Sequence, residues 1–167
     1  HIGQDKFDDA GRDLIKSSAK IGRNAIIETN PNARLAGCIP PLFGSYRPEA
    51  FEQHSAHENA KIFIEAQEDL VELWLVETVS STEESHAIFS ALQSSKKPVW
   101  LAFTIKDKYT LFNRPKIRSD EYVADAVKGA LRFKKKPDAI LFNCSLPEAM
   151  RKALQVTKRI LDTHGAN

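Results

Sequence analysis

Ala139-Ile140-Leu141-Phe142-Asn143-Cys144-Ser145-Leu146-Pro147-Glu148 is the stretch that decides the fold class. Its first four residues are an apolar run of strand length, closed by Asn143-Cys144. A helix is predicted to start at once from Ser145, with Glu148 at capping-box spacing. A strand that passes directly into a helix is the unit of a parallel sheet, and the carboxyl ends of such strands are where α/β proteins place their chemistry. A thiol at that mouth is a candidate metal ligand or nucleophile. The competing reading is a small buried hydrophobe, a common fate of an unpaired cysteine.

The same alternation extends toward the amino terminus. Residues 5–25 carry Phe7, Ala10, Leu14, Ile21 and Ala25 at helical spacing, with one polar gap at Ser18, and predict an amphipathic helix. Residues 34–39 predict a short strand, ended by Pro40-Pro41, which continues neither a ladder nor a helix; residues 42–48 then read as loop. A helix is expected over 56–69 and a largely apolar strand over 71–78. Ser81 and Glu84 have capping-box spacing and start a helix to about Ser94. Residues 98–105 are the most strand-like in the chain. A long polar loop follows, then a helix from Ser119 with Val123, Ala126, Val127, Ala130 and Leu131 on its inner face, the strand 139–142, and a last helix to about Asp162.

Composition bounds the rest. The chain has 167 residues, 42% hydrophobic and 28% charged, which predicts a single domain over 1–167 with a real core. Lys and Arg number 24 against 22 Asp and Glu, and the basic residues are scattered, so nucleic acid is not an expected partner. No stretch approaches the ~18 apolar residues of a membrane span, and the start His1-Ile2-Gly3-Gln4-Asp5 lacks signal-peptide organisation. A cytoplasmic protein is expected. The two cysteines, Cys38 and Cys144, are expected as free thiols or one ligand thiol rather than a disulfide framework.

Strands each followed by a helix, most of them near-continuous apolar runs, point to a parallel sheet buried on both faces. Flavodoxin-like sheets and β/α barrels share that pattern. The loops after strands are long and chemically loaded while those before strands are short, which favours a (β/α)8 TIM barrel. No Gly-rich phosphate loop follows any strand, which disfavours a flavodoxin-like binding domain. A whole barrel takes about 250 residues, so about four βα units are expected here.

Four segments resemble the homocysteine S-methyltransferases, zinc-dependent enzymes on a β/α barrel. They are Leu35-Ala36-Gly37-Cys38-Ile39-Pro40-Pro41-Leu42-Phe43-Gly44, then Trp74-Leu75-Val76-Glu77-Thr78 with Glu83-Glu84, then Pro98-Val99-Trp100-Leu101-Ala102-Phe103, and finally Phe142-Asn143-Cys144 with Pro147-Glu148. They stand in the family's order and cover nearly the whole chain. The resemblance implies that the chain spans barrel strands three to six.

It also implies a chemistry: methyl transfer from a sulfonium, betaine or folate-type donor to the thiolate of homocysteine, giving methionine. A free thiol with a pKa of about 8.5 is mostly protonated at neutral pH, and zinc removes that proton. The family holds zinc with three cysteine thiolates and leaves the fourth position to the substrate sulfur. Cys144 matches the first of these ligands, and the adjacent pair that supplies the other two has no match in this sequence. Glu77 matches the acid that binds the homocysteine amino group, a role suited to a carboxylate at a strand terminus; the competing reading is a solvated loop acid. Asn143 either fixes the approach to Cys144 or hydrogen-bonds the turn. At the position of Cys38 the family often has a small residue, so Cys38 is expected to pack near the mouth rather than to bind metal.

Lys106 to Arg118, with Tyr109, Phe112 and Arg114, is expected on the catalytic face and over the methyl donor. The histidines His1, His54, His57, His86 and His164 show no ligand spacing, and Lys134-Lys135-Lys136 reads as a solvated helix C-cap. A second reading of the chain is a non-catalytic half-barrel. Four βα units expose two sheet edges and an apolar face, so such a piece is expected to associate with itself as a homo-oligomer or with another chain.

Overall fold

The computed structural model describes residues 4–108 and 114–165. Helix α1 (Gln4–Thr29) leads into strand β1 (Ala36–Ile39), followed by α2 (Gln53–Gln67), β2 (Leu73–Val79), α3 (Thr82–Ala91), β3 (Val99–Thr104), α4 (Val123–Ala130), β4 (Ala139–Asn143) and α5 (Pro147–Thr163). The four strands are all parallel and lie in the order β1-β2-β3-β4. A doubly wound sheet would reverse its order at a switch point. Strands that follow one another in sequence order, each crossing over through a helix, are instead the wall of a β/α barrel. The chain is an α/β protein built as part of such a barrel.

The period-two alternation of the strands divides their side chains between two faces. Ile39, Trp74, Val76, Val99, Leu101 and Phe103 are buried and pack with Ile64, Ile88, Phe89, Val123, Val127 and Ile160 of the helices. Cys38, Leu75, Glu77, Trp100, Ala102, Leu141 and Asn143 alternate with these, and Trp100 remains 40% exposed. Gly37 sits beneath the Trp74 indole. A Cβ at this position would lie 2.5 Å from Trp74 Cζ3 and 2.7 Å from Cε3, too close for any side chain. Gly37→Ala is therefore expected to destabilise the protein by about 1–3 kcal/mol through forced movement of a packed ring. A thermal melt reads this as a drop of several degrees. An unchanged melt would mean that the ring has room to shift.

Carboxylates fasten the amino-terminal ends of the strands. Glu72 Oε2 accepts from Leu35 N at 2.6 Å and pairs with Arg23, which also donates to Leu70 O; Asp138 Oδ2 accepts from Val99 N at 2.8 Å. This end of the sheet carries stability, and the opposite end is left for chemistry.

Several sequence expectations shift. In α1 the stripe containing Leu14 and Ile21 is exposed, at 54% and 71%, and Ala10 and Ala25 are exposed with it. The helix instead buries Gly11 and Ala19 and turns Phe7 onto Phe63, ring centroids 6.0 Å apart, because small residues let it approach α2 closely. Ser81 does cap α3 as expected, accepting from Glu84 N at 3.1 Å, but the α-helix stops at Ala91 and residues 92–94 tighten into a 3-10 turn. Helix α4 starts at Val123 rather than Ser119, since backbone groups of 116–119 are used in bridges to Ile105 and Tyr122 and in a bond from Ser119 N to Ser80 O. Helix α5 starts at Pro147 with Leu146 at the N-cap and no side-chain cap. Ser145 is drawn away, accepting from Ile105 N at 2.9 Å. The run Lys134-Lys135-Lys136 lies beyond the end of α4, in the turn before β4, and does not cap the helix. Among the described residues no helix is long and apolar enough to cross a membrane.

Candidate active site at the carboxyl ends of the strands

Two loops and the ends of β2, β3 and β4 surround Cys144. Directly after β4, Cys144 is exposed and takes the left-handed backbone conformation, φ 49°. Thr78, near the end of β2, is also left-handed at φ 56°, a costly state for a β-branched residue, and it lies where the β2–β3 register slips between Val76 and Val79. Such irregularities re-aim side chains beside functional sites. Here the slip brings Thr78 Oγ1 to 3.7 Å from Cys144 Sγ and lets it accept from Asn143 Nδ2 at 3.0 Å. Asn143 Oδ1 is buried and has no hydrogen-bond partner among the described residues.

Glu77 lies in the same strand end. Its Oε1 accepts from Cys38 Sγ at 2.7 Å, so the thiol on β1 holds the carboxylate on β2. Burial pushes the Cys38 thiol up to about 12, with the hydrogen bond to Glu77 and its negative charge adding to the effect. Cys38 is therefore a protonated donor to Glu77 at neutral pH. Its tie to Glu77 was not foreseen.

The β1–α2 loop closes one side. Gly44, at φ 107°, turns the chain, and Tyr46, at φ 64°, reaches back so that its hydroxyl bonds Cys144; that bond raises the tyrosine pKa. Glu84 anchors this loop, accepting from Ser80 N at 2.9 Å and from the Leu42 backbone; burial raises its pKa and these two bonds oppose the rise. The β3–α4 loop closes the other side. Arg118 places its guanidinium 5.1 Å from the Tyr46 ring centroid and donates from Nε to Thr104 Oγ1 at 3.4 Å. Glu121 secures the loop by accepting from Thr82 N at 3.1 Å.

The structure thus gathers Glu77, Asn143 and Cys144 at one mouth. Sequence reasoning did not single out Tyr46, Thr78 or Thr104; the available signal was only that Thr78 and Thr104 lie at a strand's carboxyl end and Tyr46 in the loop that follows one. Tyr109 and Phe112 of the long loop, and His1, lie outside the described residues, while Arg114 stacks on Tyr122 at 3.9 Å. Both cysteines are free. No group of three His, Cys, Asp or Glu side chains able to hold a metal occurs among the described residues. Cys144 is one suitable donor, and one thiolate alone does not make a catalytic zinc site.

A carboxylate at the end of β2 and an amide and a thiol at the end of β4 stand at the carboxyl edge of a β/α-barrel wall, the edge at which barrels of this class place their sites. The chain belongs to the homocysteine S-methyltransferase family, whose model matches residues 1–165. Solved structures of the homocysteine methyltransferase MmuM from Escherichia coli are similar to it. The apo form has a TM-score of 0.68 at 22% identity, over 94% of this chain and 56% of that one. The metallated form has a TM-score of 0.69 at 22% identity, over 93% and 55%. At this identity the likeness speaks for the fold, and the chain spans a little over half the length of these structures. No curated protein sequence matches it.

Proposed function

We propose that this chain is part of a zinc-dependent methyltransferase that moves a methyl group from a sulfonium, betaine or folate-type donor to the sulfur of homocysteine, giving methionine. The observation that carries this reading is that Glu77 at the end of β2 and Asn143 and Cys144 at the end of β4 share one edge of the sheet, with Thr78 bonding both of the latter, in a chain of this family. In the reaction the substrate sulfur attacks the methyl carbon, a C–S bond forms, and the donor leaves with the electron pair of its broken bond.

In this proposal Cys144 is one of three thiolates that hold zinc, and the other two must come from outside this sequence. Bound zinc supplies a lowered thiol pKa. The chain's own residues bind and orient. Glu77, fixed by Cys38, accepts from the substrate ammonium, a charge-assisted bond. Asn143 Oδ1, buried without a partner, offers a second acceptor whose desolvation is offset when a donor arrives. Thr78 and Tyr46 hold the Cys144 sulfur in place. A cytoplasmic setting belongs to the same proposal, since thiols stay reduced there, as does one domain over residues 1–167.

A second reading has its own support. Leu14, Ile21 and Trp100 are exposed, and the outer edges of β1 and β4 have no strand partner among the described residues. A non-catalytic half-barrel covering these by self-association would explain them. The complete protein, purified with zinc and given homocysteine with each donor class in turn, separates the two. Methionine formed from one donor, with about one zinc per chain by elemental analysis, is expected for the enzyme. Zinc-free protein that yields no methionine from any donor would leave the half-barrel.

A further inference from the structure

We propose that Arg118 recognises the α-carboxylate of the thiol substrate and so makes the site selective for a zwitterionic amino acid over a plain aminothiol. The inference rests on the functional reading above and adds to it a determinant of specificity.

Arg118 lies one side chain from Cys144 by two separate routes. Its Nε donates to Thr104 Oγ1 at 3.4 Å, and that hydroxyl in turn donates to Cys144 O at 3.4 Å. Its guanidinium also lies over the ring of Tyr46, whose hydroxyl bonds Cys144. Glu77, at the end of β2, directly precedes Thr78, whose hydroxyl lies 3.7 Å from that sulfur. Thr104 ends β3, the neighbouring strand, and adjacent strands are about 4.8 Å apart. The mouth therefore carries an anion at the end of β2 and, in the loop after the neighbouring strand β3, a cation linked to Cys144 through Thr104. An α-amino acid with a thiol side chain carries the complementary pair on a single carbon.

The arginine is held but not saturated by strong pairing. Its Nη2 stands 3.6 Å from Asp107 Oδ2, longer than a hydrogen bond, and both side chains are partly exposed. The other Asp107 oxygen accepts from Leu146 N at 3.0 Å at the start of α5, which fixes the acid to the helix rather than to the arginine. A substrate carboxylate offers two oxygens to the guanidinium fork and competes well against so loose a pair. The guanidinium makes a cation–π contact with Tyr46 and, unlike a lysine ammonium, keeps a planar fork of paired donors for a carboxylate.

The test uses the complete protein loaded with zinc, with Arg118→Gln and Arg118→Lys compared with the parent on two thiols: homocysteine and its decarboxylated analogue, an aminopropanethiol. For Arg118→Gln, KM for homocysteine is expected to rise about 10- to 100-fold while kcat/KM for the aminopropanethiol stays within about twofold. Arg118→Lys is expected to recover part of the loss. Because both thiols are measured on one preparation, incomplete folding cancels in their ratio. Equal losses on the two thiols would assign Arg118 to loop packing and overturn the inference, as would an unchanged KM for homocysteine. A parent that methylates neither thiol would overturn the functional reading itself.

Discussion

Cys144→Ser, made in the complete enzyme, is expected to abolish zinc retention and methyl transfer together. Serine is nearly the same size, and the position is exposed, so the change removes little packing. It replaces a soft donor that loses its proton on metal binding with a hydroxyl that holds its proton firmly. The effect should exceed the roughly 10- to 100-fold losses that follow changes to outer-shell partners of a metal. Elemental analysis and methionine formation measure it, and a thermal melt under chelation shows that the fold is intact. Zinc content equal to that of the parent would remove Cys144 from the ligand set.

Glu77→Ala is expected to weaken homocysteine binding by about 10- to 100-fold, the range for a hydrogen bond to a charged group, and to leave zinc content unchanged. The alanine change also removes the acceptor of the Cys38 thiol, so it mixes two effects. Glu77→Gln separates them, because the amide oxygen still accepts from Cys38 while the charge is gone. Both variants should lose homocysteine affinity if the charge is what matters. Full affinity in Glu77→Gln with loss only in Glu77→Ala would mean that the residue acts by organising the β1–β2 strand ends.

Much of the architecture was legible because it is written in local patterns. The apolar runs of β2, β3 and β4 alternate with helices, and Ser81 with Glu84 marked the start of α3 to the residue. Where a local signal competed with tertiary partners, the partners prevailed. Ser145 resembles a cap, yet it bonds Ile105 and leaves Leu146 at the N-cap position. Ser119 resembles a helix start, yet its amide goes to Ser80. In α1 the larger apolar stripe was the obvious core face, and the helix buries Gly11 and Ala19 instead, with Phe7 against Phe63 of α2.

By itself the sequence determined the class of fold, the alternation of strands and helices, and the position of Cys144, Asn143 and Glu77 at strand ends. These depend on periodicity, caps and breakers within a few residues of each position. Only the tertiary structure decided which of them meet. Thr78 reaches Asn143 and Cys144 across 65 and 66 residues, and Cys38 reaches Glu77 across 39. Those meetings depend on strand register and on left-handed backbone at Tyr46, Thr78 and Cys144. No residue type announces such a conformation outside glycine, and it persists only where the surrounding packing imposes it.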